Sequence, residues 1–129
     1  MFYCDTSALM KLVLEEAEST ELKDFLRVEH VLASSEIVRT ELVRGALRRE
    51  PGAHRQVEEA LRRVRLLTVN EARLTLAGTV PPIGLRSLDA IHLASALRLR
   101  DVLTAFVAYD LRLLDAASAL GLPIASPGA

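Results

Sequence analysis

An α/β sandwich around a mostly parallel sheet is the fold class this sequence predicts, and three observations predict it. Short apolar runs alternate with amphipathic helical stretches from one end of the chain to the other, the pattern of strands joined by helical crossovers. Turn-forming residues punctuate the stretches, notably Pro51-Gly52, Pro81-Pro82-Ile83-Gly84 and Gly121. The chain has 129 residues, of which 50% are hydrophobic, enough for one domain with a substantial core.

The elements follow in order. Phe2-Tyr3-Cys4 is a short apolar run that suits a buried strand. Thr6 and Ser7 are candidate caps for a helix whose apolar positions include Leu9, Leu12 and Val13. Glu18–Glu29 continues helically on Leu22, Phe25 and Leu26, and Val31-Leu32-Ala33 forms a second strand ended by Ser34 and Ser35. A helix over Glu36–Arg49 buries Ile37, Val38, Leu42 and Leu47 and stops before Pro51. Another helix runs through Val57, Leu61 and Val64 into a strand over Leu66–Val69. After a helix over Glu71–Thr79 and the proline loop, Ser87 is placed as the cap of a helix over Leu88–Leu99. Thr104–Tyr109 reads as a strand, Asp110–Leu120 as a helix closed by Gly121, and Leu122–Ala125 as a short edge strand. That makes about five short strands in one domain over residues 1–129.

Composition narrows the function. Ordinary values for charge (26%), Gly and Pro exclude a disordered or collagen-like chain, and the single Cys4 excludes an internal disulfide. Apolar runs are too short to span a membrane and no basic leader precedes the first one, so a cytoplasmic location is expected. Net charge is −1, but its distribution is uneven. Residues 1–38 hold eight acids against three bases, whereas residues 39–73 hold nine Arg against five Glu. Such a basic stretch, with Arg39, Arg44, Arg48 and Arg49 on one predicted helix, can track a polyanion. Pairing of Glu58 and Glu59 with Arg62 and Arg63 would instead make a solvated face.

The acids are more specific. In open α/β sheets chemistry gathers beyond the carboxyl ends of the strands. Asp5 and Asp110 each follow a predicted strand and precede a helix, where an Asp also serves as an N-cap. Asp89 stands in the first turn of a helix, where the helix dipole favours an acid. Glu41 sits mid-helix beside Val38, Leu42 and Gly45, and a carboxylate beside an apolar stripe needs a partner, a proton or a metal. His92 is three residues after Asp89 on the same helix, where a ligand or base role is geometrically open, but between Ile91 and Leu93 it reads first as a core or interface histidine; His30 and His54 carry no signal.

The segments MFYCDTSAL, SSEIVRTELVRGA, LRSLDAIHLASAL and FVAYDLRLLDAASALGLPIASPG resemble, in order and spacing, the motifs of PIN-domain ribonucleases, and within them of VapC-type toxins of bacterial toxin–antitoxin pairs. The resemblance implies a three-layer α/β/α fold and Mg²⁺- or Mn²⁺-dependent cleavage of RNA, with tRNA or rRNA as expected substrates. It implies an acidic quartet of Asp5, Glu41, Asp89 and Asp110, with the metal on Asp5, Asp89 and Asp110. Several carboxylates brought together need a cation, and oxygen donors alone favour Mg²⁺ or Mn²⁺ over Zn²⁺. Thr6, Ser7, Arg44 and Arg112 are the candidate substrate contacts, and Asp115 is a candidate accessory acid that also reads as a solvated helix residue. Expected partners are a small cognate antitoxin and a second copy of the chain, as a homodimer or, with antitoxin, a heterotetramer or larger. Leu9, Leu12, Val13, Leu14 and Leu22, facing Val38, Leu42 and Leu47, are the expected walls of an apolar groove for that antitoxin.

Other α/β chemistries fit less well. No Gly-rich loop ends in Lys-Ser or Lys-Thr, against a P-loop enzyme, and no lysine follows Lys23, against phosphatases and receiver domains that use a late lysine. The alternative from another class is a catalytically silent PIN-fold module that only binds protein.

Overall fold

Five strands lie in the order β3-β2-β1-β4-β5, and among the described residues every neighbouring pair is parallel. They are β1 (Phe2–Cys4), β2 (Leu32–Ser35), β3 (Val64–Leu67), β4 (Ala105–Val107) and β5 (Ile124–Ala125) in a computed structural model that describes residues 1–28 and 31–129. The helices are α1 (Thr6–Val13), α2 (Ser19–Leu26), α3 (Val38–Arg49), α4 (His54–Arg62), α5 (Glu71–Thr79), α6 (Ser87–Leu97) and α7 (Leu111–Ala119). Strand alternation sends side chains to two cores. Phe2, Cys4 and Val107 turn to one face with Leu9, Leu22, Leu42 and Val57, while Tyr3, Ala33 and Phe106 turn to the other with Leu93 and Leu113. The result is a three-layer α/β/α sandwich. None of its helices, among the described residues, is long and apolar enough to cross a membrane.

This strand order positions the site. From β1 the chain moves outward through β2 to β3, then returns to β4 on the other side of β1. The switch point lies between β1 and β4, where an open parallel sheet leaves a crevice at its carboxyl ends. Asp5 and Asp110 stand there, and the Asp5 N–H donates to the Val107 carbonyl at 3.1 Å, tying the two strand ends together.

Several boundaries differ from the sequence reading. Ser34 and Ser35 belong to β2 and are fully buried, because small polar side chains fit where β2 runs beneath α6. Val64 opens β3, and the strand ends at Leu67 because its partner β2 ends at Ser35. β4 and β5 are trimmed to three and two residues, α6 ends at Leu97, and α3 begins at Val38 after a turn at Glu36. The predicted end of the second helix at Glu29, and His30, lie outside the described residues. Glu59 pairs with Arg55 instead of Arg63, although Glu58 does pair with Arg62.

The α7 terminus is as expected and shows why. Gly121 has φ +84°, and its N–H donates to the Ser118 carbonyl while Leu122 N–H donates to Ala117, a Schellman closure. Gly121→Ala forces an L side chain into the left-handed region at a cost of about 1–2 kcal/mol. Denaturant titration should show that loss in the midpoint with the slope unchanged.

The expected antitoxin groove is not open. Leu9, Leu22, Val38 and Leu42 are fully buried, Val13 nearly so, and Leu12, Leu14 and Leu47 pack against the same core. Helices α1, α3 and α4 close on one another there, so the surplus apolar positions are consumed by helix–helix packing. Exposed large apolar side chains lie elsewhere, among them Ile83, Leu88 and Leu111.

Candidate active site

Asp5 is the N-cap of α1. Its Oδ1 accepts from Ala8 N–H at 3.0 Å and from the Ser7 hydroxyl at 2.6 Å. Thr6 and Ser7 are therefore first-turn residues, not caps, and the cap is the acid itself. Asp110 caps α7 in the same way, its Oδ1 accepting from Arg112 N–H at 2.9 Å and Leu113 N–H at 3.1 Å. The capping and functional readings of these acids are compatible, because each cap uses one oxygen. Oδ2 of Asp110 meets Arg86 at 3.5 Å, and Oδ2 of Asp5 makes no hydrogen bond among the described residues.

Asp89 lies in the first turn of α6, where Arg86 is the N-cap residue and no side chain caps. Ser87 is thus the first helical residue, because Arg86 already has the extended backbone a cap position needs. The Arg86 guanidinium sits between two acids, Nε 3.2 Å from Asp89 Oδ2 and Nη2 3.5 Å from Asp110 Oδ2. Glu41 reaches the same place from α3. Its Oε1 accepts from the Thr6 hydroxyl at 2.7 Å and lies 2.9 Å from His92 Nε2.

All four acids line one cleft of about 370 Å³, together with Thr6, Ser7, His92, Arg86, Lys11, Glu16 and Arg49. The cleft brings together residues 5, 41, 89 and 110 from four separate elements. It does not include Arg44, which is exposed on α3, nor Arg112 and Asp115, which line a separate apolar depression beside the proline loop. The hydroxyl protons of Thr6 and Ser7 point to Glu41 and Asp5, so these residues hold acids in place. Ser7 Oγ also accepts from Tyr109 N–H at 3.1 Å, which joins α1 to the end of β4.

Electrostatics differ from acid to acid. Asp5 is only 4% exposed, and burial pushes its carboxyl above the ordinary value; the Asp89 charge adds to that, while His92, Ser7 and the Ala8 N–H pull against it. Burial also pushes Glu41 up, but hydrogen bonds from His92 and Thr6, with the charges of His92 and Arg86, outweigh it and hold the carboxyl below its usual range.

Arg86 is a cleft residue that the sequence did not single out, and His92 is one that the core reading undersold. Arg86 was signalled only by its i,i+3 spacing to Asp89 at a helix start. His92 is a buried histidine, as expected, but it also faces the cleft through Nε2, a contact 51 residues away in sequence.

Donor chemistry supplies the test for a metal. The acids offer hard oxygens, one of them on a buried carboxylate that burial makes reluctant to ionise alone, and the chain's own Arg86 fills the gap between two others. Among the described residues no three acid, imidazole or thiol groups form a preformed metal cage.

A family model described as PIN domain matches residues 2–119. The chain is 43% identical to the Mycobacterium tuberculosis (strain CDC 1551 / Oshkosh) protein named ribonuclease VapC47, over all of this chain and 98% of that one. It is 42% identical to ribonuclease VapC46 of M. tuberculosis H37Rv, over 97% of this chain and 96% of that one. In structure it is similar to M. tuberculosis VapC20, a protein described as a sarcin–ricin loop cleaving toxin, with a TM-score of 0.74 and 21% identity over 98% and 100% of the two chains.

Proposed function

The chain belongs to the PIN-domain family, and from that premise we propose that it is a divalent-metal-dependent endoribonuclease of the VapC type, the toxin of a toxin–antitoxin pair. One observation carries the chemical part: Asp5, Glu41, Asp89 and Asp110 meet in a single cleft at the switch point of the sheet. The ribonuclease names of relatives at 40–43% identity over nearly the full length support the activity. We take residues 1–129 as one PIN domain acting in the cytoplasm.

Asp5, Asp89 and Asp110 would hold Mg²⁺ or Mn²⁺, each through the oxygen that its cap does not use or that Arg86 now occupies. When bound, the ion supplies positive charge to offset the charge developing on the phosphate. Glu41 has Oε1 engaged by Thr6 and His92, and its other oxygen is the natural acceptor for a proton from attacking water. Arg86, Arg49 and Lys11 are the basic groups that line the cleft and would face the scissile phosphate. An RNA strand longer than the cleft would run on to Arg44 and Arg112, both exposed. The antitoxin partner would cover apolar surface next to the acids. Leu88 and Leu111, each exposed and next in sequence to a cleft acid, supply it. Self-association into a homodimer, or a heterotetramer with antitoxin, belongs to the same proposal.

Melting of the purified protein across a Mn²⁺ series separates this reading from a catalytically silent protein-binding module. A rising midpoint that Asp5→Asn and Asp89→Asn both remove is the expected result, worth about 2.7 kcal/mol at a hundredfold excess over the dissociation constant. A flat midpoint in the wild type would favour the silent module.

A further inference from the structure

We propose that His92 is a positioning residue of the cleft: its imidazole grips one oxygen of Glu41 and so leaves the other aimed at substrate. The inference rests on the reading of Glu41 as a group that acts on RNA. His92 is 1% exposed on α6, and both ring nitrogens are engaged. Nδ1 lies 2.7 Å from the Tyr3 hydroxyl, and Nε2 lies 2.9 Å from Glu41 Oε1 and 3.1 Å from Thr6 Oγ1. A carboxylate has no proton to give, so the proton is on Nε2, and in the neutral ring Nδ1 accepts from Tyr3 O–H.

Packing fixes the ring as firmly as the hydrogen bonds do. Tyr3 meets the imidazole edge-on, with centroids 5.9 Å apart and planes at 79°, and Tyr3 is itself stacked on Phe106 at 5.3 Å. Tyr3 and Phe106 are neighbours in register on β1 and β4, so the orientation of Glu41 is referred to the centre of the sheet and not to its own helix. Thr6 completes the grip, donating to the same Oε1. Glu41 Oε2 makes no hydrogen bond among the described residues, and the side chain is half-buried at the cleft wall. A histidine serving only to fill the core would not spend one nitrogen on a cleft acid, since an apolar side chain fills the same space without a polar group to satisfy.

The test compares two polar replacements. In His92→Gln the amide nitrogen takes the place of Nε2 and keeps the bond to Glu41; in His92→Asn the amide takes the place of Nδ1, keeping Tyr3 and losing Glu41. Steady-state cleavage of RNA in Mn²⁺ should show kcat lowered by about 10- to 100-fold in His92→Asn with KM near wild type, and most of kcat restored in His92→Gln. In a Glu41→Gln background, His92→Asn should add no further loss. Equal kcat in folded His92→Asn and wild type, equal damage in the two variants, or additive losses would each overturn the proposal. A measurement on the unaltered protein keeps it falsifiable if His92→Asn does not fold. Imidazole ¹⁵N NMR must show Nε2 protonated, and a bare Nε2 would overturn it. If Glu41→Gln cuts kcat while His92→Asn does not, this inference fails and the ribonuclease reading stands. Wild type inactive on RNA in Mn²⁺ would sink that reading, and this inference with it.

Discussion

Asp5→Asn should abolish RNA cleavage and raise the melting temperature of the metal-free protein at neutral pH. The two effects come from one carboxylate. Loss of activity should exceed about 100-fold, since even outer-shell partners of metal sites cost 10–100-fold. The fold survives because an Asn oxygen can still accept from Ala8 N–H and the Ser7 hydroxyl, and Asn caps helices as well as Asp. The stability gain follows from burial, which raises the Asp5 pKa above 3.8 in the folded chain, with Asp89 adding to the rise. A folded-state pKa above the unfolded one contributes stability that is complete below the unfolded value and is lost as pH climbs through the folded value. Asn carries no such penalty. The melting gap between Asp5→Asn and wild type should therefore close in acid, open as pH rises through the raised pKa and stay open at neutral pH. Mn²⁺ should reverse its sign by stabilising only the wild type. If Asp5→Asn unfolds the protein instead, the residue serves α1 and not an ion.

Glu41→Gln should cut kcat by about 100-fold, the lower end of what a positioned acid–base group contributes. The amide oxygen can still accept from Thr6 and His92, so the melting temperature should change little. Its free end becomes an amide that accepts no proton from water. Binding of RNA, measured with a non-cleavable strand, should be retained. Full activity in this variant would reduce the cluster to three acids and make Glu41 a structural ligand of His92.

The parts of the site legible in the sequence are those set by local pattern. A strand, an acid and a helix start in succession mark Asp5 and Asp110, because chain direction alone delivers them to the carboxyl ends of β1 and β4. Asp89 is marked by its place in a first turn. Glu41 stood out as a carboxylate beside an apolar stripe, and Thr6 and His92 are the partners that such a position required. What local pattern does not encode is which distant side chain meets which. Arg86 looked like one more arginine until α6 and α7 brought Asp89 and Asp110 to either side of it. The leucines of α1 looked surplus because periodicity does not reveal that α3 and α4 close over that helix. Arg44 and Arg112 have the right charge but do not line the cleft, and Arg112 lines a separate depression beside the proline loop. Strand ends moved by a residue or two because partner strands, not propensity, decide where a ladder stops.

Cleavage of a structured RNA by the purified chain, with the new ends identified, tests the central claim most directly. With Mg²⁺ or Mn²⁺ the account predicts cuts that leave 5′-phosphate ends, and no cleavage once EDTA removes the ion. Cleavage that persists in EDTA and leaves 2′,3′-cyclic phosphate would contradict it, because that route uses the ribose hydroxyl and has no need of the four acids.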